Sequence, residues 1–355
     1  MLPPITFLVD GALDQPTGGY LYDRIVIDGL RDRGASVQIE SLAVGGAITT
    51  ALENGRVALR RAREPRCGLV IVDELCHPRT ALASLIHRVR PRARLVALVH
   101  HLGASERSGP SARARLALER LLLDAAWRVI VTSETTLRAV AAAGVEPTRI
   151  RAVLPGCDRL GERRDPPLPS VDGRVRLLFL GSLTPRKGVI ALVHAMSAVS
   201  ARATLTLVGP ADRDLAYAAE VRAAITRSPA RDRIRVTGAL PDAGVAAALA
   251  SPDLVVLPRL HEGFGIAIAE ALAHGLGVIA TTAGAIPEVV RDGREAILVP
   301  PGDERALAAA LVRAVDDPAL RAAMQAAATA RARALPRWKD TQREFAEALG
   351  STAER

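Results

Sequence analysis

The chain has 355 residues, 49% hydrophobic and 24% charged, a composition that suits a globular protein with two cores. No run approaches the roughly 18 apolar residues of a membrane span, and the N-terminus reads as a first strand without a basic region or cleavage site, so neither a spanning helix nor a signal peptide is expected. Lys and Arg total 47 against 38 Asp and Glu, a net charge of +9, but 3% aromatics give poor stacking platforms for nucleic acid, which directs the basic charge toward anionic substrates or an anionic membrane surface.

Apolar runs of strand length alternate with helix-like segments along the whole chain, the pattern of parallel sheets with crossover helices. In the first half, strands are expected over 5–10, 37–42, 69–73, 94–99, 129–132 and 151–154. Helices are expected over 20–33, 50–62, 78–89, 111–126 and 134–143. From Asp158 to Pro169 the chain is charged, proline-rich and aperiodic, which places an interdomain linker at 161–173. The alternation then restarts, with strands over 175–181, 204–208, 234–237, 254–257, 278–280 and 297–299. Three helices close the chain over 304–315, 318–334 and 338–349. The fold class is therefore α/β, two doubly wound Rossmann-like domains over 1–160 and 174–335, with a terminal helix in 336–355. Such domains are expected to face each other across a cleft and to bind ligands beyond the carboxyl ends of their strands.

Cys67, Cys76 and Cys157 lack metal-type or redox-type spacing, which implies reduced thiols in a cytosolic protein; Cys76-His77 reads as a loop. The loop after the first strand contains Gly18-Gly19, whose backbone amides can approach a phosphate at a helix start, or which simply make a tight turn. The three spaced glycines of a dinucleotide fingerprint are absent, so no nicotinamide cofactor is expected. His100 and His101 end a strand, where one side chain would meet a ligand hydroxyl and the other point away, with neither assigned. Between the first strand and first helix of the second domain lies Gly181-Ser182-Leu183-Thr184-Pro185-Arg186-Lys187-Gly188. Lys187 and Lys339 are the only lysines, so Arg186 and Lys187 at a cleft mouth read as a phosphate clamp. Asp212-Arg213-Asp214 has Asp-x-Asp spacing but precedes a helix and reads as a cap, so no metal is expected.

The most informative stretch is His261-Glu262-Gly263-Phe264-Gly265-Ile266-Ala267, running through Glu270 into an alanine-rich helix. Two glycines allow close backbone approach. The first helical amides, at Ile266 and Ala267, suit an anion such as a diphosphate. Carboxylates beside an anion site suit sugar hydroxyls, which donate to them in charge-assisted hydrogen bonds. The later loop Thr281-Thr282-Ala283-Gly284-Ala285 has no acid, base or metal ligand and is assigned no catalytic role.

These pieces, in this order, resemble the retaining glycosyltransferases of the GT-B fold, family 4. The family's Glu-x7-Glu motif matches Glu262 and Glu270, its Lys-Gly pair matches Lys187-Gly188, and its N-terminal Gly-Gly loop matches Gly18-Gly19. Leu154-Pro155-Gly156-Cys157-Asp158, Ile286-Pro287-Glu288 and Pro301-Gly302-Asp303 are also similar. The resemblance implies that Glu270 holds the nucleotide ribose, Glu262 the donor sugar, and Lys187 the diphosphate together with the Ile266 and Ala267 amides. Gly19 would approach the donor from the other domain, Gly238 would lie beside the base, and His101 near the acceptor. Glu262, Lys187 and His101 are thus the expected catalytic residues. Gly18, Gly19, Ser182, Arg186, Gly238, Gly263, Phe264, Gly265, Ile266, Ala267 and Glu270 complete the expected donor site. The family often has Gly-Arg where this chain has Gly181-Ser182; Arg186 is the candidate replacement.

The function so implied is retaining transfer of a sugar from a UDP- or GDP-linked donor to a hydroxyl acceptor, a glycan, a lipid or a small metabolite. The donor is a substrate, so no cofactor is expected, and no nucleic-acid partner. The alternatives are a sugar-nucleotide epimerase of the same fold and a non-catalytic sugar-nucleotide or glycan-binding protein. Residues 56–63 and 113–116 carry arginines that suit either a solvated helix face or peripheral contact with the inner face of an anionic membrane.

Overall fold

The computed structural model describes residues 2–43, 45–63, 68–77, 79–89, 93–106, 109–161, 173–199 and 201–350. The expected linker at 161–173 therefore lies almost wholly outside the described residues, as does Cys67. The chain forms two compact units, one of Met1–Gln15, Gly19–Pro155 and Lys339–Arg355, the other of Pro16–Gly18 and Gly156–Trp338.

The first unit runs β1 (Ile5–Asp10), α1 (Gly18–Asp32), β2 (Val37–Leu42), α2 (Ala47–Arg63), β3 (Leu69–Asp73), α3 (Ala81–Val89), β4 (Arg94–Val99), α4 (Gly109–Ala125), β5 (Arg128–Val131), α5 (Glu134–Ala142) and β6 (Ile150–Ala152). Its six strands are all parallel, in the order β2-β1-β3-β4-β5-β6. β3 and β5 are buried along their whole length, as strands covered on both faces must be, which is why they read as unbroken apolar runs.

The second unit runs β7 (Val175–Leu180), α6 (Val189–Ala195), β8 (Ala203–Val208), α7 (Leu215–Arg227), β9 (Ile234–Gly238), α8 (Asp242–Ala250), β10 (Leu254–Leu257), α9 (Ile266–Ala273), β11 (Gly277–Thr281), α10 (Ile286–Val289), β12 (Ala296–Val299), α11 (Glu304–Asp316) and α12 (Pro318–Ala332). Its sheet is also six-stranded and parallel, in the order β12-β11-β10-β7-β8-β9. The closing helix α13 (Trp338–Gly350) returns to the first unit. There the Phe345 ring meets Tyr22 edge-on at 6.2 Å, and Thr341 Oγ1 donates to Leu154 O at 2.7 Å.

Both sheets reverse direction once, between β1 and β3 in the first and between β7 and β10 in the second. At such a switch point the following loops splay apart and leave a crevice at the strands' carboxyl ends. The sequence therefore delivers its chemistry to two defined places: the loops after β1, β3 and β4, and the loops after β7 and β10.

Four corrections to local expectation arise at helix starts, one of them at α3, which begins at Ala81 and not at the expected 78. α1 begins at Gly18, so Gly18 and Gly19 form its first turn and do not belong to the preceding loop; α2 and α4 begin at Ala47 and Gly109, earlier than the expected 50 and 111. Asp214 caps α7, accepting from Tyr217 N at 2.9 Å, the role expected of it. Among the described residues no helix is long and apolar enough to cross a membrane. Of the arginines considered for a basic face, Arg56 pairs with Glu53 at 2.7 Å and Arg115 with Glu119 at 2.8 Å.

The loop after β7 is held by a glycine. Gly188 has a left-handed backbone (φ +68°), and a Cβ there would overlap the Pro258 carbonyl oxygen at the end of β10. Gly188→Ala therefore combines left-handed strain with a backbone clash, and a loss of stability of at least about 1–3 kcal/mol is expected. A urea midpoint equal to that of the wild type would show that the two loops do not meet so closely.

Candidate active site

The second unit's switch point is built from two loops. After β7 the chain makes a 3-10 turn, Pro185–Lys187, that ends at Gly188 and buries Lys187. After β10 it runs through Pro258 and Arg259 to Glu262 and then, through a left-handed Gly265 (φ +104°), into α9. Leu260 N donates to Arg186 O at 2.9 Å, which straps the loops together. Lys187 Nζ donates to Glu262 Oε2 at 3.0 Å, and both side chains are only 11% exposed.

Arg259 pairs with the same Glu262 oxygen from the other side. Its Nη2 donates to Leu180 O at 3.1 Å, and its own carbonyl accepts from Thr281 Oγ1 at 2.5 Å. Burial, and then repulsion from Arg186, push Arg259 down to about 9, although a guanidinium keeps its proton at neutral pH. Arg186 Nη1 donates to His261 O at 3.4 Å.

The loop after β11, assigned no catalytic role from sequence, supports Glu262 through its backbone. Ala285 N donates to Glu262 O at 3.0 Å, and a Cβ on Gly284 would overlap that oxygen. Ser182 and Phe264 are buried. Gly238 ends β9 in a left-handed conformation and accepts from Gly209 N at 2.9 Å. Ile266 and Ala267 open α9, where their amides precede the first intrahelical bonds, donated by Ile268 and Ala269 to Gly265 O.

Glu270 is buried inside α9, and its Oε1 accepts from Arg159, with the shorter contact at 2.7 Å. Arg159 also reaches Asp242 Oδ1 at 2.5 Å. Burial raises the Glu270 carboxyl and the Arg159 charge opposes the rise. Sequence reasoning missed both Arg259 and Arg159. One stands in a chain where arginine is everywhere, and the other fell inside the aperiodic stretch read as a break. Their only signal was position, at a strand's carboxyl end and just after a conspicuous Gly-Cys-Asp.

At the first unit's switch point, Asp10 ends β1, Asp73 ends β3 with Glu74 just after it, and His100 and His101 follow β4. His100 Nε2 lies 3.1 Å from Asp23 Oδ1 and 3.7 Å from Asp73 Oδ2, its amide donates to Glu74 Oε2 at 2.6 Å, and its ring meets Tyr22 edge-on at 5.3 Å. A Cβ on Gly19 would lie 3.3 Å from the His100 ring, so Gly19 is small partly for that ring. Burial alone would lower the His100 pKa, but Glu74, Asp23 and Asp73 raise it well above its ordinary value and keep it an imidazolium. Asp73 is depressed, burial being outweighed by His100, while burial lifts Asp23. His101, the histidine expected near an acceptor, sits 3.0 Å from Glu106 and 3.5 Å from Glu74.

Residues 25–159 match the family model described as Glycosyltransferase Family 4, and residues 174–317 match that of Glycosyl transferases group 1. Together these span most of the chain, which belongs to family 4 of the GT-B glycosyltransferases. It is 38% identical over 165 residues to a phosphatidyl-myo-inositol mannosyltransferase of Mycobacterium leprae, covering 43% of this chain and 41% of that one. It is 28% identical over 272 residues to a D-inositol 3-phosphate glycosyltransferase of Thermobispora bispora, covering 72% and 63%. The chain spans about two fifths of the length of the first curated relatives it matches. In fold it resembles sucrose-phosphate synthase of Thermosynechococcus elongatus (TM-score 0.79, 22% identity, 97% of both chains). It also resembles Anabaena HepE in complex with UDP-glucose (TM-score 0.76, 22% identity, 98% of this chain and all of that one).

The first unit's charge cluster has a consequence for stability. Burial, with Asp73 adding to it against the pull of His100, raises the Glu74 carboxyl from 4.5 to about 7. Between those values the folded chain keeps a proton that the unfolded chain has released, so this group's contribution falls as pH rises through the window. The urea midpoint should therefore decline less between pH 5 and 7 in Glu74→Gln than in the wild type. Parallel profiles would show that Glu74 is not held protonated.

Proposed function

We propose that this chain transfers a sugar from a nucleoside diphosphate sugar to a hydroxyl acceptor, with retention of anomeric configuration and without a metal. What carries the reading is the switch point of the second unit. One wall holds an ammonium and two guanidiniums, two carboxylates stand beside them, and the amide end of α9 opens next to Glu262. Lys187 and the Ile266 and Ala267 amides take the diphosphate, Glu262 the donor sugar, and Glu270 the ribose. As the glycosidic bond breaks, charge grows on the leaving phosphate, where fixed donors in a desolvated site are worth most. Among these residues none is placed as a covalent nucleophile, and the departing phosphate is the base that takes the acceptor proton.

Of the uridine and guanosine diphosphate sugars, the uridine kind has a solved neighbour in complex with it. The relatives are named for mannosyl and glycosyl transfer to inositol-bearing acceptors, and HepE was solved with UDP-glucose. His100 and His101, with the acids around them, make the first unit's switch point the acceptor side.

Lys187→Ala and Glu262→Ala should each lower turnover by about a hundredfold or more, assayed at a temperature at which circular dichroism shows the variant still folded. The donor is identified by a thermal-shift panel of UDP, GDP and ADP with their sugar conjugates, since binding to the native state alone raises Tm. NMR of the product's anomeric proton reports retention, and full activity in EDTA reports metal independence. Near-normal turnover in both variants on the donor so identified would refute the site. A product formed from the donor without any acceptor would instead indicate an epimerase.

A further inference from the structure

We propose that Arg259 is a second phosphate-binding cation of the donor site, and that Glu262 is the carboxylate which the donor's diphosphate displaces from Arg259 and Lys187. The inference rests on the donor reading above and deepens it by assigning Arg259 a ligand and Glu262 two successive partners.

Three observations carry it. First, two cations converge on one oxygen: Lys187 Nζ and the Arg259 guanidinium both meet Glu262 Oε2. A third cation, Arg186, lies near enough to disfavour the charge on Arg259, while Glu270, the other carboxylate at hand, is already bound by Arg159. The wall therefore carries more positive than negative charge in a place where the side chains are 5–11% exposed. Excess buried charge of one sign is costly unless an anion of the other sign completes it.

Second, Arg259 is incompletely used. Its side chain is 5% exposed, and its Nε, also buried, has no hydrogen-bond partner. A guanidinium presents five donors in a rigid fork that matches phosphate, and a buried donor left unpaired is expensive. Serving only as a structural partner for Glu262 and Leu180 O does not account for that donor.

Third, the wall cannot relax to spread the charge. The backbone around it is locked by glycines that leave no space for a Cβ: Gly188 against Pro258 O and Gly284 against Glu262 O. The bonds Leu260 N to Arg186 O and Thr281 Oγ1 to Arg259 O tie the remaining loops. The cations are thus preorganised, and the movable member is the Glu262 side chain. A diphosphate that takes both cations frees this carboxylate for the hydroxyls of the sugar carried on the same donor. Glu262 then favours a donor that brings a sugar over the bare diphosphate product.

The test is calorimetric titration of the full chain with UDP, GDP and ADP, and with uridine, guanosine and adenosine as phosphate-free controls. Wild type, Glu262→Gln and the double variant Glu262→Gln/Arg259→Met are compared; the single variant leaves two buried cations without their carboxylate and the double variant leaves only Lys187. For the diphosphate that binds, Glu262→Gln should bind several-fold more tightly than wild type. The double variant should then lose about tenfold or more relative to Glu262→Gln, with nucleoside affinity the same in all three. Diphosphate affinity within twofold between single and double variants would overturn the role of Arg259. Weaker diphosphate binding in Glu262→Gln would overturn the displacement, and a parallel fall in nucleoside affinity would trace the loss to general damage and refute the proposal. In each of these cases the donor reading stands, whereas a wild type that binds none of the three diphosphates would end that reading and this proposal together.

Discussion

The structure of the second unit depends on one shared carboxylate. Glu262 lies between a lysine from the loop after β7 and an arginine from the loop after β10, and the backbone that carries it is pinned by the loop after β11. Three neighbouring strands of one sheet thus deliver their loops to a single acid. Removing Glu262 would leave two cations side by side in a poorly solvated place, which is the situation that makes breaking a buried pair so destabilising. Stability and ligand affinity are therefore opposed at this residue: the pairing that steadies the loops also occupies the cations a phosphate would use.

The first unit solves a related problem with the signs inverted. Its switch point gathers Asp23, Asp73 and Glu74 about His100, with Asp10 near enough to feel the charge of Asp73 and bonded by Arg79 at 2.5 Å. So many buried acids cannot all ionise, and the structure distributes the protons: His100 keeps one, burial holds another on Glu74, and Asp73 is left charged. The two units place cation excess and acid excess at corresponding points of their sheets. The fold repeats while the electrostatics do not, as expected where one architecture serves two kinds of ligand.

Much of this was legible in the chain alone, and the reason is burial. β1, β2, β3, β4 and β10 fall on the residues expected of them: the inner strands β1, β3, β4 and β10 because parallel strands covered on both faces leave near-continuous apolar runs, the half-exposed edge strand β2 because Val37 and Ile39 alternate with Gln38 and Glu40. The Glu262–Glu270 stretch was legible because two glycines and two acids at a strand-helix junction are hard to place anywhere else. Helix starts at glycine or alanine were not, since neither residue marks a cap. Arg259 was invisible for a compositional reason: all but two of the 47 basic residues are arginines, so one more carries no signal. Choosing between His100 and His101 needed partners that lie on β3, α1 and beyond, 26 to 77 positions from His100 for Glu74, Asp73 and Asp23, which only the sheet order brings together.

The expectation that Arg186 makes up for the serine at position 182 rests on nearness in the chain, and Arg259 adds a second arginine that is near in space. Arg186 follows Ser182 closely in the chain, yet the guanidinium that donates to Leu180 O, two residues before Ser182, comes from Arg259 at the end of the adjacent strand. In a parallel sheet the loops that meet at a switch point belong to strands separated by several crossover units. On the role proposed for Arg259, a charge lost from one of them is restored from the strand beside it, because both loops open over the same crevice. Turning a corner within the original loop, by contrast, requires the backbone to change, and that backbone is held by Gly188 against the Pro258 carbonyl and by the Gly181 carbonyl against Gly209. The sheet order, more than the motif, thus decides which arginine stands beside the Lys187–Glu262 pair.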